Sequence, residues 1–228
     1  MQIIKSYYKN KLFDNSKNKE IFREILSKRG KEILIDGPTG SGKSYSTINT
    51  MKDESKNNKN TIYIMTFPNR SLSEQAGKKY EVVSVVGNKN AFRDYDFKEE
   101  RVFCCVYDKL KELREEIDNY KEKRINYDVV LCIDECHNLS LSLSYRKKVI
   151  NEIEKMTKYI KDNNGTIIYV SATTDVMKYK KYDYHYIFEQ DGGYKCFADN
   201  VIINIIDSRK EKLDDVIFNI VKDDNYVI

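Results

Sequence analysis

The sequence has little of what long loops, membrane-spanning helices and exported proteins require. Its 228 residues include only 9 glycines and 2 prolines, which leaves little room for long loops or low-complexity linkers. No run of about 18 apolar residues is present, so no membrane span is expected. The N-terminal stretch MQIIKSYYKNKLF lacks the apolar core of a signal peptide. We therefore expect a chain without a membrane partner.

Cysteines paired as in secreted proteins are also not expected. The chain has 5 cysteines, an odd number, and no secretion signal, which argues against a disulfide framework. Cys132 and Cys136 have the loose spacing of a zinc pair, but no second suitable pair follows. We interpret the cysteines as small buried thiols in a reducing, cytoplasmic setting. They are Cys104, Cys105, Cys132, Cys136 and Cys196.

An excess of charge of one sign is lacking as well. The 40 basic and 36 acidic side chains give a formal net charge of +4, too small to indicate nucleic-acid binding by itself. The 18 tyrosines and 9 phenylalanines, together with this balance, argue against a disordered chain. The length suits one large domain, or one domain and a fragment of another.

What the sequence does contain is a series of short β-branched and aromatic runs with helix-compatible segments between them. Most runs are nearly continuous in apolar character, which is typical of strands buried on both faces of a parallel sheet. Residues 107–123 and 145–161 carry apolar stripes at helical spacing. The alternation predicts an α/β fold with a central, mainly parallel sheet flanked by helices. The predicted strands are residues 32–36, 61–66, 81–86, 101–106, 128–134 and 165–171.

A glycine-rich motif directly follows the first of these predicted strands. It matches the pattern GxxxxGK[ST] and precedes a predicted helix, the arrangement of a phosphate-binding loop, or P-loop. Glycines let successive N–H groups turn toward one centre, and the helix N-terminus adds its dipole. Lys43 is expected to reach the β- and γ-phosphates, and the Ser44 hydroxyl to ligate Mg²⁺. The predicted nucleotide-binding residues are Gly37, Pro38, Thr39, Gly40, Ser41, Gly42, Lys43 and Ser44.

A second polar motif, Asp134-Glu135-Cys136-His137, follows the apolar run at 128–134. The carboxyl ends of parallel strands gather around one crevice, so this motif is expected beside the P-loop. Asp134 would hold Mg²⁺, and Glu135 would orient and deprotonate an attacking water. An acidic pair after a strand is more often a turn or a helix cap. The P-loop earlier in the chain favours the catalytic interpretation.

The order of these motifs resembles the first RecA-like domain of superfamily 2 helicases, the DExD/H-box group. After GPTGSGKS and DECH comes Ser-Ala-Thr at 171–173, at the end of the next strand-like run. Residues 66–75, TFPNRSLSEQ, resemble the family motif Ia, and residues 106–110 lie where the family has a T-x-x-x-L element. The resemblance covers about residues 15–200.

The resemblance implies a role for each matching position. ATP is the implied nucleotide and Mg²⁺ the implied cofactor. The implied catalytic residues are Lys43, Asp134, Glu135 and His137. The residues implied to couple hydrolysis to strand movement are His137, Ser171, Ala172 and Thr173.

Contacts with single-stranded or partly duplex nucleic acid are also implied, at the positions of motif Ia. Pro68, Asn69 and Arg70 would contact the phosphate backbone there, so binding should be non-specific and salt-sensitive. The sequence departs from the family at Cys136, where Ala is commoner, and at Val106, where Thr is usual. An adenine-reading Q motif is not evident upstream of the P-loop.

The domain organisation suggested by the resemblance is one RecA-like domain and the beginning of another. Residues 1–200 would be the ATP-binding domain, and residues 201–228 an interdomain segment leading into a truncated second RecA-like domain. Because that missing C-terminal domain would carry the arginine finger, we expect this chain to bind nucleotide but to hydrolyse it slowly alone. The alternatives are a standalone P-loop NTPase that acts as an oligomer, and an accessory nucleic-acid-binding module.

Overall fold

A single sheet of eight parallel strands forms the centre of the fold. In chain order the strands are β1 (Gln2–Tyr8), β2 (Glu32–Asp36), β3 (Thr61–Phe67), β4 (Val83–Val85), β5 (Val102–Val106), β6 (Asp128–Ile133), β7 (Thr166–Ser171) and β8 (Tyr184–Gln190). Their order across the sheet is β1-β8-β2-β7-β6-β3-β5-β4. The predicted α/β fold with a parallel sheet is therefore confirmed.

The computed structural model places these strands in one compact unit, Met1–Tyr194. The predicted interdomain segment at 201–228 and Cys196 lie outside the described residues, so both expectations stay predictions. The structure describes residues 1–9, 12–87, 91–141, 147–174 and 180–191.

Helices flank the sheet on both faces. In chain order they are α1 (Ser16–Ser27), α2 (Lys43–Asn57), α3 (Arg70–Tyr80), α4 (Leu110–Glu122), α5 (His137–Leu141) and α6 (Lys147–Asp162). The apolar stripe predicted over 107–123 begins as a 3-10 turn, Tyr107–Lys109, and continues as α4. No helix within the described ranges is long and apolar enough to cross a membrane.

The uninterrupted apolar character of the central strands follows from burial on both faces. In β6, Val129 and Leu131 belong to the hydrophobic cluster that contains the apolar stripes of α4 and α6. The alternate residues Val130 and Cys132 belong to the cluster on the other face, formed with α1, α2 and α3. Side chains on either face of the strand are therefore buried, which explains why apolar and polar residues do not alternate along it.

The four described cysteines are buried free thiols within these clusters. Cys132 packs in the cluster beside α2, and Cys136 packs in the cluster beside α4. The two cysteines with the spacing of a zinc pair therefore lie in different hydrophobic clusters. Within the described ranges no group of three or more His, Cys, Asp or Glu side chains is placed to hold a metal ion.

All six predicted strands are present, whereas β1 and β8 were not predicted. The reason is visible in β1, where the hydrophobic pattern contradicts the burial pattern. Ile3 and Tyr7 are 55% and 51% exposed, while Ser6 is buried. The Ser6 hydroxyl donates a hydrogen bond of 2.7 Å to the amide oxygen of Asn18 in α1. A polar contact across 12 residues thus decides which face of this edge strand is covered.

The strand order brings the predicted motifs to one edge of the sheet. β2, which leads into the P-loop, lies beside β7, which ends at Ser171, and β7 lies beside β6, which precedes Asp134. β3, which precedes Pro68, and then β5 follow on the far side of β6. The carboxyl ends of five neighbouring strands therefore present all the motifs on the same side of the molecule.

The close approach of a turn to β6 generates a stability prediction. A Cβ added at Gly165 would lie 2.6 Å from the Val129 carbonyl oxygen and 2.6 Å from Ile160 Cγ2. We expect Gly165→Ala to lower the free energy of unfolding by about 1–3 kcal/mol, because backbone and core must shift to admit the methyl group. Chemical denaturation monitored by circular dichroism measures this. Lys158→Ala, at an exposed position of α6, is the control and should change stability little.

Candidate nucleotide-binding site

The P-loop connects the end of β2 to the start of α2, as its sequence predicts. Gly40 and Gly42 have φ values of +76° and +91°, in the left-handed region that favours glycine. Nothing lies within 4 Å of a Cβ built at either position, so backbone conformation rather than space requires these glycines. Gly42 is the N-cap of α2, and as a glycine it has no side chain that could cap the first N–H groups of the helix. The loop thus leads directly into a helix N-terminus suited to an anion.

The side chain of Lys43, the residue that follows the last glycine of the P-loop, extends back across the loop. Its ammonium donates hydrogen bonds of 2.6 and 2.8 Å to the carbonyl oxygens of Gly37 and Pro38. The side chain is buried, and burial lowers the pKa of Lys43, while the negative charges of Asp134 and Glu135 oppose that change. A positive charge is therefore held at the centre of the loop, where it can meet phosphate oxygens.

Ser44 and Asp134 are brought together although 90 residues separate them. The Ser44 hydroxyl donates a hydrogen bond of 2.8 Å to Asp134 Oδ2. Asp134 is 6% exposed, and burial raises the pKa of its carboxyl group from 3.8 to about 6 against the opposing effect of that hydrogen bond. A buried carboxylate beside a hydroxyl is a hard oxygen donor set, which fits Mg²⁺ in contact with phosphate.

Glu135 has a left-handed backbone conformation, with φ of +48°, which is uncommon for a residue other than glycine. Neighbouring hydrogen bonds impose it. The amide of Asp134 donates to the Thr66 carbonyl and the amide of Cys136 donates to the Val170 carbonyl. The phenol of Tyr107 donates to the Asp134 carbonyl. This turn leaves the Glu135 side chain 43% exposed, whereas Asp134 is buried.

Tyr107 is a site residue that the sequence analysis missed. The sequence assigns it to the start of a helix and to the element at residues 106–110, and nothing local to it points to position 134. The contact arises because β5 and β6 flank β3 in the sheet.

The residues implied to couple hydrolysis to movement do meet beside Glu135. His137 Nδ1 lies 3.0 Å from Ser171 Oγ and 3.3 Å from Glu135 Oε2. The Thr173 amide donates a hydrogen bond of 2.9 Å to the same Ser171 oxygen. Ala172 lines a cleft of about 590 Å³ together with Gly37 and Pro38. The end of β7 is thus connected to the residues after β6 and lies next to the P-loop.

The motif Ia residues lie elsewhere, beyond β6 at the end of β3. Asn69 is the N-cap of α3, and its side-chain oxygen accepts a hydrogen bond of 3.0 Å from the Leu72 amide. Arg70 is exposed and its Nε donates a hydrogen bond of 2.7 Å to Glu74. Together with Pro68 they line a separate groove of about 640 Å³, which also includes Lys109.

Two aromatic rings next to the P-loop were also missed. The ring of Tyr45, 41% exposed, meets the ring of Phe13 edge to face at 5.3 Å between centroids. The Leu12 amide donates to the Ser41 carbonyl, which fixes this segment to the loop. These rings could contact a nucleotide base. Phe22 of α1, by contrast, is fully buried and stacked on Phe188.

The buried carboxyl of Asp134 generates a pH prediction. Below pH 3.8 it is protonated whether the chain is folded or unfolded, and above about 6 the folded protein must hold it ionised. A rise in pKa from 3.8 to about 6 corresponds to a cost of about 3 kcal/mol, incurred as pH increases through that window. Asp134→Asn removes the ionisation and keeps an oxygen that can accept from Ser44.

We therefore expect the melting temperature of Asp134→Asn, relative to the unmodified protein, to increase from pH 4 to 6 and then to level off. The melts are run in a chelator, without nucleotide. Asp162→Asn, an exposed carboxyl on α6, is the control. A difference that does not depend on pH would contradict the burial of an ionised Asp134.

Comparisons with known proteins agree with this architecture. A family model described as type III restriction enzyme, res subunit, matches residues 6–176, more than half of the chain. The Pyrococcus furiosus Hef helicase domain superposes with a TM-score of 0.52 at 15% identity, over 77% of this chain and 38% of that chain. DUF1998 helicase MrfA bound to DNA superposes with a TM-score of 0.54 at 16% identity, over 75% and 27% respectively.

No curated protein matches the sequence. The chain spans less than two fifths of the length of either helicase structure. The family model and the fold together confirm the prediction of an ATP-binding, RecA-like domain of the superfamily 2 helicase type. The chain belongs to the family described as type III restriction enzyme, res subunit.

Proposed function

We propose that this chain hydrolyses ATP and that nucleic acid stimulates the reaction, as the ATPase domain of a helicase or translocase. The observation that carries the proposal is the meeting of four residues from two distant motifs that follow β2 and β6, the strands on either side of β7. Lys43 and Ser44 begin α2, and Asp134 and Glu135 follow β6. The Ser44–Asp134 hydrogen bond of 2.8 Å joins the two motifs. A charge for phosphate, oxygen ligands for a metal and a candidate base are then within one crevice.

The P-loop and the first residues of α2 would bind the triphosphate. The N–H groups of residues 39–42 and the dipole of α2 favour phosphate oxygens, and Lys43 adds a point charge. Ser44 and Asp134 would hold Mg²⁺. The ion neutralises charge on the phosphates when it is bound.

Activation of the attacking water falls to Glu135. Its carboxylate is 43% exposed, so a water can reach it, and its unusual backbone conformation fixes its direction. His137, at 3.3 Å from Glu135, restrains the carboxylate further. A positioned carboxylate of this kind can accept the proton of a water that attacks the γ-phosphate. Ser171 and Thr173, through His137, would link that event to the end of β7.

Nucleic acid would bind in the groove lined by Pro68, Asn69 and Arg70. Arg70, whose side chain is 56% exposed, supplies the accessible positive charge there, suited to a phosphate contact that carries no base specificity. Asp108 and Glu112 also line the groove, and Lys109 is paired with Glu112 at 2.7 Å, so Arg70 carries this part of the proposal. The MrfA structure is described as bound to DNA, which supports a nucleic-acid partner for a chain of the same fold. We propose single-stranded or partly duplex nucleic acid as the ligand and a cytoplasmic setting, the latter supported by the buried free thiols.

The proposed reaction is slow in this chain alone. An arginine finger contributes a factor of about 10³–10⁵ in enzymes that transfer phosphoryl groups. We propose that a second RecA-like domain, following the segment at 201–228, supplies it.

The nucleotide site is tested with variants of Lys43 and Glu135. We expect Lys43→Ala to weaken binding of a fluorescent ATP analogue with Mg²⁺ by about tenfold or more, because the buried ammonium is lost. Lys56→Ala, an exposed residue of the same helix, is the matched control. Glu135→Gln should bind the analogue normally but lose at least about 10²-fold in ATP turnover measured with added strand. Unchanged binding by Lys43→Ala would contradict the proposed site.

The nucleic-acid groove is tested with Arg70→Ala. We expect weaker binding of fluorescent single strands irrespective of sequence, and a reduction of about 0.7 in the slope of log affinity against log salt, because one phosphate contact is lost. Matched DNA and RNA strands are compared by anisotropy. Lys158→Ala on α6 is the control. An unaltered salt slope in Arg70→Ala would place the strand elsewhere.

A further inference from the structure

Asp36 occupies a position that the motifs do not include. It is the last residue of β2, immediately before Gly37 of the P-loop. In the sheet it pairs with Ser171 at the end of β7 on one side and with Ile187 of β8 on the other. A carboxylate is thus placed directly between the entry to the P-loop and the Ser-Ala-Thr motif at 171–173.

The Asp36 carboxylate is attached to the segment that follows this motif. The Thr174 hydroxyl donates a hydrogen bond of 2.7 Å to Asp36 Oδ2. His185 of β8 lies on the other side, with Nε2 at 3.6 Å from the same oxygen, which is longer than a hydrogen bond. Burial opposes ionisation, but the contacts with His185 and Thr174 and the charge of Lys43 hold the pKa of Asp36 below its ordinary value. The hydrogen bond therefore has a charged acceptor, which makes it a strong one.

Hydrogen bonds continue from Thr174 toward the candidate base. The Thr173 amide donates to Ser171 Oγ at 2.9 Å. Ser171 Oγ lies 3.0 Å from His137 Nδ1, and His137 lies 3.3 Å from Glu135. Residues 171–174 are therefore held at both ends, by His137 at Ser171 and by Asp36 at Thr174.

We propose that Asp36 is a positioning residue that fixes residues 171–174 through the Thr174 hydroxyl, so that Ser171 keeps His137 in contact with Glu135. Without the Asp36–Thr174 bond, the backbone after β7 loses its attachment to β2, and Ser171 is no longer held toward His137. This gives Asp36 and Thr174 a role in the ATPase site, although neither belongs to the P-loop or to the acidic motif after β6. The expected effect of this restraint on ATP turnover rests on the proposed function, whereas its expected effect on the position of His137 does not.

The two histidines of the chain provide a direct readout, because His137 and His185 lie at opposite ends of this array. Two-dimensional ¹H–¹⁵N spectra of the imidazole rings contain one set of signals from each, assigned with His137→Gln and His185→Gln. Thr174→Val removes the hydroxyl and keeps a side chain of similar volume, whereas Thr174→Ala removes the hydroxyl and also shortens the side chain. Thr174→Ser retains it. Thr157→Val removes a hydroxyl that bonds locally within α6 and is the matched control.

We expect both hydroxyl-deleting variants to move the His137 ring signals to the positions seen in Ser171→Ala. Thr174→Ser and Thr157→Val should leave them in place. Asp36→Asn keeps an oxygen for Thr174 but loses the charge beside His185, so it should shift the His185 signals and spare those of His137. Thermal melting checks that every variant is folded. His137 signals that are unchanged in folded Thr174→Val and Thr174→Ala would overturn the proposal.

A double-mutant cycle on ATP turnover gives the second measurement. Thr174→Val and Ser171→Ala should each lower kcat about tenfold, and the double variant should be no slower, because both act through the same restraint on His137. The KM for ATP should stay within about twofold, since the phosphate contacts of the P-loop are unaltered. A double variant whose kcat falls by the product of the two single effects would overturn the proposal. If the unmodified chain does not hydrolyse ATP, the proposed function fails, and the histidine spectra still decide the role of Asp36.

Discussion

Burial of the central strands on both faces is the constraint on which the rest of the structure depends. Helices cover both sides of β6 and its neighbours, and connections of this kind make every strand parallel. Parallel strands end at one edge of the sheet, so the loops that follow β2, β7 and β6 meet there. Residues that are far apart in the chain, such as Ser44 and Asp134, become neighbours for this reason. The chemistry at this edge follows from the way the core is packed.

The electrostatics of that edge come from charges held out of water. Lys43 and Asp134 are both buried, and burial disfavours the ionised form of each. Partial compensation comes from their mutual attraction, from the Ser44 hydroxyl and from the carbonyl oxygens of Gly37 and Pro38. A site of this kind is less stable by itself than an apolar core of the same size. It gains most from a ligand that brings phosphate and a cation together.

Restraint of the residues after β6 and β7 depends on a different kind of contact. The amides and carbonyls of neighbouring strand ends fix the backbone at Glu135, and Tyr107 adds a side-chain bond from the end of β5. The end of β7 is held by His137 on one side and by Asp36, through Thr174, on the other. These contacts join strand ends that the sheet brings close together, either between neighbouring strands or, for Tyr107, from β5 past β3 to β6. A rearrangement at one strand end therefore alters the environment of the next.

The sequence by itself determined the features that are local patterns. These are the six strands β2 to β7, the glycines of the P-loop and the acidic motif after β6, because apolar runs and glycine spacing are properties of neighbouring residues. Only the tertiary structure decided the strands β1 and β8, the left-handed turn at Glu135 and the contacts of Tyr107, Tyr45 and Asp36. In β1 a buried serine and exposed Ile3 reverse the expected pattern, since Asn18 of α1 supplies the partner. The turn at Glu135 and the contacts of Tyr107 and Asp36 arise between strand ends whose order in the sheet differs from their order in the chain. Tyr45 of α2 meets Phe13, which lies before α1.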